Sequence, residues 1–482
     1  MRRIHCFSLV LVFAAQLVHS QALKPIVQVE SGEAGISYQT HFLPKVYHGD
    51  PQNWAIIQRN DGVIVIANGG GVLTFDGRQW QTTPLPNNNL VRCLSKAVGK
   101  RVYVGGYNEF GFIDYENPEP SYTSLVKHVP ASQREFGNVW NVINANNDVY
   151  FFTDKGILSW SNGAFEFLKH DTEESGAFAT LHDGKILFQS GINGLSVLAV
   201  ASSFFPGGDF YQVKRITSAF EFGDNKLLIA TLQDGLFIYD KGHSKPFATH
   251  LLSFFRTNRL YKAIKLRNGN MAFATLQKGV VVLNTNGDVV QILDRNSGLG
   301  DDVIYNLMED RDGALWTAMS VGLSRVELQT PMSLFGERNG LHGAVNDIIR
   351  FEGKLYVATM LGLFELKSAA SSTSRPSFVQ HHEISSSVWA LKVVDGSLLM
   401  ATDNGTMELK SGRFRLLDYE SGAVLHASKR HPGLVLVGLA DGVSMLTIRN
   451  GKWTSHGKIS GLNSDVGEMS EDADGNIWLG TF

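Results

Sequence analysis

The chain has 482 residues, with 49 Gly and only 13 Pro, and a formal net charge of −3. Hydrophobic residues at 43% and charged residues at 18% exclude a disordered chain, which needs low hydrophobicity and high net charge. Gly falls far short of the roughly one third that collagen requires, and the charge supplies no basic field for nucleic acid.

The first twenty residues read as an address. Arg2, Arg3 and His5 precede an apolar run from Cys6 to Ala15, and Val18, His19 and Ser20 place small or compact residues before a cleavage at Gln21. The run is shorter than the roughly 20 apolar residues of a membrane span. Residues 1–20 are therefore read as a Sec-type signal peptide, and no Cys follows the cut as in a lipoprotein. No second run of about 18 apolar residues follows. The mature chain is expected to be exported to the periplasm, with no membrane span in these residues. Cys6 falls in the signal, which leaves Cys93 as a lone thiol, read as a small buried hydrophobe in a strand.

Beyond the signal the chain repeats. A turn with Asp, Asn or Gly is followed by four or five strand-type residues, a polar gap, a Gly and a second short strand, as in DGALWTAMSVGLSRVE from Asp312 and EGKLYVATMLGLFELK from Glu352. The turn residues are Gly62, Lys100, Asn147, Gly184, Asn225, Gly269, Gly313, Gly353, Gly396, Gly433 and Gly475. Their mean spacing of about 41 residues leaves helical repeats or four-stranded propeller blades. Short β-branched and aromatic runs bounded by Gly, Asp and Asn exclude the helices. The fold class is all-β, a β-propeller of four-stranded blades. In the seventh repeat the strands are expected around VIYNLMED, LWTAM, LSRVE and Met332–Phe335. Eleven repeats divide as one seven-bladed ring, residues 21–336 and closing from about residue 36, plus about four blades of a second, residues 337–482.

Asp310-Arg311-Asp312-Gly313-Ala314-Leu315-Trp316 with Gly322-Leu323, and Glu471-Asp472-Ala473-Asp474-Gly475-Asn476-Ile477-Trp478-Leu479-Gly480-Thr481, resemble the two-component regulator propeller repeat of bacterial sensor proteins. SGLGDDV from Ser297 and SGLNSDV from Ser460 are similar to its lead-in. Trp54 through Phe75-Asp76-Gly77 and Trp80, and GGYNEFGFIDY from Gly105, resemble the opening blades of such sensors in Bacteroidetes-type bacteria. The resemblance implies one or two periplasmic seven-bladed propellers. It also implies a β-sandwich, a membrane helix and a cytoplasmic output module to follow: histidine kinase, helix-turn-helix regulator, cyclase or phosphatase. None of those parts is in these residues, and the last repeat stops inside a strand, so an N-terminal fragment of a longer sensor is expected.

No catalytic set stands out. The acidic turns at Asp310–Gly313 and Asp472–Gly475 lack the further ligands of a calcium loop and read as hairpin turns. Gly69-Gly70-Gly71 lacks a following Lys-Ser/Thr and a helix start, and reads as a tight strand connection. His381 with His382, and His426 with His431, lack a third ligand at zinc-like spacing. No metal or cofactor is expected.

Near the start of each first strand, corresponding positions carry Trp54, Arg92, Trp140, Tyr305, Asn346, Trp389 and His426. Facing the channel, they would suit a sugar or another polar ligand with apolar faces; blade-to-blade packing is the competing reading. The longer loop Tyr107-Asn108-Glu109 is a second candidate, against a plain packing loop. The leading expectation is a non-catalytic ligand-sensing ectodomain of a signalling protein. Its partners would be an unknown small molecule, carbohydrate among the options, or another protein or second copy, with no nucleic acid and membrane only through a missing C-terminal segment. A secreted propeller lyase, glycosidase or lactonase and a protein-binding scaffold remain as alternatives.

Overall fold

Each of the eleven turn residues lies between the first and second strands of a sheet. Ten of them have positive φ, from 53° at Asn225 to 92° at Gly62, and beside Lys100 the preceding Gly99 takes that conformation. Gly and Asn reach it at the least steric cost, which is why they punctuate the repeat. A computed structural model describes residues 33, 35–96, 99–117, 120–169, 178–190, 194–198, 203–330, 332–368 and 376–481. The expected signal at residues 1–20, with Cys6, lies outside them.

Among the described residues, ten antiparallel sheets have four strands each and two have two strands, Ile36–Ser37 with Ser333–Leu334 and Val466–Glu471 with Ile477–Thr481. The second strand of a blade is covered on both faces by its neighbours. Ile64–Asn68, Leu227–Thr231, Met271–Thr275 and Leu315–Met319 are accordingly buried at every residue and read as apolar runs with one polar residue each, without alternation.

Blades 1–7 have the innermost strands Asn53–Gln58, Val91–Leu94, Val139–Ala145, Ala179–His182, Ile216–Glu221, Leu260–Lys265 and Ile304–Glu309. Each packs against the next, and that of blade 7 packs back on blade 1, closing a ring. At this seam Ile56, Ile66 and Leu73 of blade 1 share one buried cluster with Trp316, Ala318 and Leu323 of blade 7. The Asn53 amide donates to the Gly322 carbonyl across the seam, at 2.9 Å.

The seam also corrects the sequence reading. The fourth strand of blade 7 is not Met332–Phe335 but Gln39–Phe42, paired in register from Gln39 with Val326 to Phe42 with Leu323. Ser333–Leu334 instead pairs with Ile36–Ser37. An N-terminal strand that completes the last blade removes two sheet edges at once and ties the ring shut. Phe42 anchors it, its ring stacked on Trp316 with centroids 5.4 Å apart.

Blades 8–10 begin with Val345–Phe351, Val388–Val394 and Gly422–Ala427, and blade 11 with Val466–Glu471. Glu33 accepts both terminal amino groups of Arg350 in blade 8, at 2.9 and 2.7 Å. One helix of two turns, Leu252–Asn258, links blades 5 and 6. It is too short for its periodicity to register in sequence, and its buried Phe255 fixes it to the core. Cys93 is buried in a strand as expected, its Sγ 3.2 Å from the Val139 carbonyl.

Candidate functional site

A register slip recurs at the second residue of the innermost strands. Pairing skips from Asn53 to Ala55, Val91 to Cys93, Val139 to Asn141, Ile216 to Ser218, Leu260 to Lys262 and Ile304 to Asn306. The residue passed over is a β-bulge, released from the ladder and turned to a new direction. In blades 1, 2, 3, 5, 6 and 7 it is Trp54, Arg92, Trp140, Thr217, Tyr261 and Tyr305. All six line one cavity of about 150 Å³ at the channel mouth. Trp54, Arg92, Trp140 and Tyr305 are thus brought together as the sequence reading expected.

The bulge residues interlock. Trp54 stacks on Tyr305 with centroids 4.3 Å apart and planes 13° off parallel. Tyr261 meets Tyr305 edge-on at 5.8 Å. The Arg92 guanidinium lies 3.9 Å from the centre of the Trp54 ring and 5.3 Å from that of Trp140. A cation over an indole face is worth roughly 0.5–2 kcal/mol, so Arg92 is held by the aromatics. Its Nε also donates to Asn138 Oδ1 at 3.3 Å. The Trp140 indole donates to Asp154 Oδ1 at 2.6 Å. Burial pulls the Arg92 guanidinium below its ordinary pKa, and burial alone does the same to the Lys262 ammonium beside it.

The remaining candidates go elsewhere. Trp389 is the bulge residue of blade 9 and donates to Asp403 Oδ1 at 2.7 Å, repeating the Trp140–Asp154 pair outside the first ring. Asn346, the bulge residue of blade 8, donates to the Val388 carbonyl at 2.8 Å. His426 is corrected: the bulge residue of blade 10 is Ala423, and His426 sits further along the strand, 3.5 Å from Glu471. Gly422 opens that strand in place of the usual aliphatic residue, which shifted the alignment. In the loop, Asn108 is bound through Gly137, whose N–H donates to its Oδ1 at 2.6 Å. Glu109 is buried and accepts from the hydroxyls of Tyr122 at 2.9 Å and Ser124 at 2.7 Å. Tyr107 is exposed and bridges to Asn138. None of the three lines the cavity.

The acidic turns are occupied by protein donors. Asp310 accepts from the backbone of Asp312 and Ala314, from the Trp316 indole and from Arg325. Asp472 repeats this with Asp474, Asn476 and the Trp478 indole. Gly69–Gly71 connects two strands, with the Gly70 N–H donating to the buried Asn68 at 2.9 Å. His381 lies 3.1 Å from Glu365, which is also paired with Lys367. Among the described residues, only His182, Asp183 and Glu221 bring three potential metal-ligand groups together, and both acids are exposed.

The sequence reading missed Arg215, Thr217, Tyr261 and Lys262, which line the same cavity. The signal was present: a buried aliphatic residue opens the strand, as in Val91, Val139, Ile216, Leu260 and Ile304, and the residue after it bulges.

Residues 460–482 match the family model of the two component regulator propeller. A search of curated proteins found no match. Among solved structures, the extracellular domain of a protein described as a hybrid two component system from B. thetaiotaomicron matches with a TM-score of 0.68 at 17% identity, over 90% of this chain and 62% of that one. A second extracellular domain from B. thetaiotaomicron, described as part of a one component system, matches with a TM-score of 0.46 at 14% identity, over 93% of this chain and 65% of that one. Virginiamycin B lyase from Staphylococcus aureus matches with a TM-score of 0.46 at 13% identity, over 60% of this chain and 98% of the lyase. The chain thus spans less than two thirds of the length of the two extracellular domains. At 17% identity the first likeness establishes the architecture, and the repeat at residues 460–482 supplies the sequence signature. The chain is thus a β-propeller whose residues 460–482 carry the two component regulator propeller repeat.

Proposed function

We propose that the chain is a non-catalytic, ligand-binding ectodomain of a bacterial signal-transduction protein, exported to the periplasm, with its site at the channel mouth of the first ring. One observation carries the reading: six blades use the same bulge to turn six side chains into one cavity. Packing between blades accounts for one of the six, since Trp54 also packs against the cluster between blades 1 and 2; the other five belong to none of the buried clusters between the sheets. The extracellular domains that share the fold support the placement outside the cytoplasm, and no helix among the described residues is long and apolar enough to cross a membrane. The cavity lining holds no Asp, Glu or His, the residue types most used in general acid–base catalysis, which favours binding over turnover.

The test is a thermal-shift screen of the purified chain against mono- and oligosaccharides and organic acids, with Trp140→Ala and Tyr261→Ala as controls. A ligand at 100 times its Kd stabilises by about 2.7 kcal/mol, an increase of several degrees that both variants should abolish. Turnover of a bound compound would support the propeller-enzyme reading. Shifts that survive both substitutions would place the site elsewhere.

A further inference from the structure

Three cationic side chains line the channel mouth, and no anionic one does. Arg92, Arg215 and Lys262 face the cavity without an Asp or Glu in its wall. Among the described residues, none of the three has a carboxylate at ion-pair distance. The acids whose charge reaches this region are engaged behind it. Asp154 accepts from the Asn138 backbone, the Asn138 amide and the Trp140 indole, and Asp301 pairs with Arg295 and accepts from Ser320.

A half-buried cation with no counter-ion is costly, because burial removes water without returning a charge. The depressed ammonium of Lys262 records that cost, with burial as its only cause. Four aromatic rings, Trp54, Trp140, Tyr261 and Tyr305, share the wall with the three cations and with Asn141, Thr217 and Asn306, and partial burial there strengthens attraction for an incoming opposite charge. The cavity of about 150 Å³ equals the size of engineered cavities that hold one benzene ring. Charge, wall and volume together describe one kind of occupant.

We propose that the channel mouth binds a small carboxylate carried on a single six-membered ring, its charge met by Arg92, Arg215 and Lys262 and its ring by the aromatic wall. The proposal rests on the channel mouth being the ligand site and adds the class of ligand. A ring carboxylate arises from an acidic sugar or from an aromatic acid, and the probes separate the two.

The experiment uses titration calorimetry and quenching of indole fluorescence on the purified chain. The probes are glucuronate and benzoate, with glucose and benzyl alcohol as their neutral counterparts. The expected result is binding of at least one acid, with its neutral counterpart weaker by about tenfold or more, as for a lost hydrogen bond to a charged group. Lys262→Met should lose that binding by a similar factor while the melting temperature of the ligand-free chain stays the same or rises. Arg215 is exposed, so Arg215→Glu should weaken the acid without perturbing the fold, and the loss should shrink at high salt. Glucuronate alone binding assigns an acidic sugar, and benzoate alone an aromatic acid. Neutral probes that bind as well as the acids, with sensitivity to Trp140→Ala, would overturn the anionic class and leave the channel site standing. Silence from all four probes would overturn both.

Discussion

Asp310 and Asp472 hold the same place in two copies of one motif, and removing them should have unequal effects. Asp310 is 3% exposed. Its carboxylate accepts from Ala314 N, Trp316 Nε1 and Arg325 Nε, each at 2.9 Å. In Asp310→Ala the Arg325 guanidinium keeps Glu327, but the Ala314 N–H and the Trp316 indole, 2% exposed, are left buried without an acceptor. Each unsatisfied donor costs roughly 1–3 kcal/mol, so the pair costs ~3–4 kcal/mol. An unfolding entropy of about 2.1 cal/mol/K per residue over a ring of about 300 residues converts this to a fall of ~5–6 °C in melting temperature. In Asp472→Ala the Trp478 indole belongs to a side chain 66% exposed, so water takes over as acceptor and the shift should stay within about 1 °C. Scanning calorimetry on both variants decides. Equal shifts, or an Asp310→Ala midpoint within about 1 °C of the parent, would refute the view that the motif is a hydrogen-bonded turn whose worth is set by burial.

Acid unfolding should follow the same carboxylates. Trp478 and Asn476 hold the Asp472 carboxyl down at about 2. At Asp310 burial pushes upward, but the bonds from Trp316, Ala314 and Arg325 outweigh it and hold the group below its ordinary 3.8. Both values are depressed on folding, so what each carboxylate contributes, most of it from buried Asp310 and little from Asp472 with its exposed Trp478 partner, is complete above that ordinary value and lost as pH falls through the depressed one. Melting temperature should be level above about pH 5 and drop below about pH 4, and Asp310→Asn should flatten the drop. Phe42→Ala should loosen the seam by about 2–4 kcal/mol, with faster proteolysis of the segment before Pro44; an unchanged digestion rate would mean that strand does not close the ring. Asn68→Ala removes a side chain that bonds Asp50, Gln52, Asn53 and Gly70. It should destabilise by about 2–4 kcal/mol in calorimetric melts.

The repeat was legible because its constraints are local. A hairpin that needs positive φ at one residue selects Gly or Asn wherever it occurs, and a strand covered on both faces selects an unbroken apolar run, as over the first four residues of Ile64–Asn68. The closing strand was not legible for the opposite reason. Gln39–Phe42 is four residues long and half-buried only at its ends, and its partner Leu323–Val326 lies far away in sequence, so no local period records the pairing. Met332–Phe335, next in the chain after blade 7, was the natural but incorrect substitute.

The channel residues fall between these cases, and the bulge explains why. On either side of Tyr261 the ladder continues, Leu260 with Thr275 and Lys262 with Ala274. The strand's own demands thus fall on the neighbours, and the skipped position is free of them. Across six blades that position carries Trp, Arg, Trp, Thr, Tyr and Tyr, six choices on one backbone device. Where the neighbouring motif was clear, as at Trp54 and Tyr305, the position could be found by alignment. Where repeats 5 and 6 lack the Trp and the Asp-Gly pair, Thr217 and Tyr261 are marked only by the aliphatic residue before them, Ile216 and Leu260. A position without a strand requirement is hard to find by fold-level pattern, and for the same reason it is free to change with the ligand while the ring stays the same.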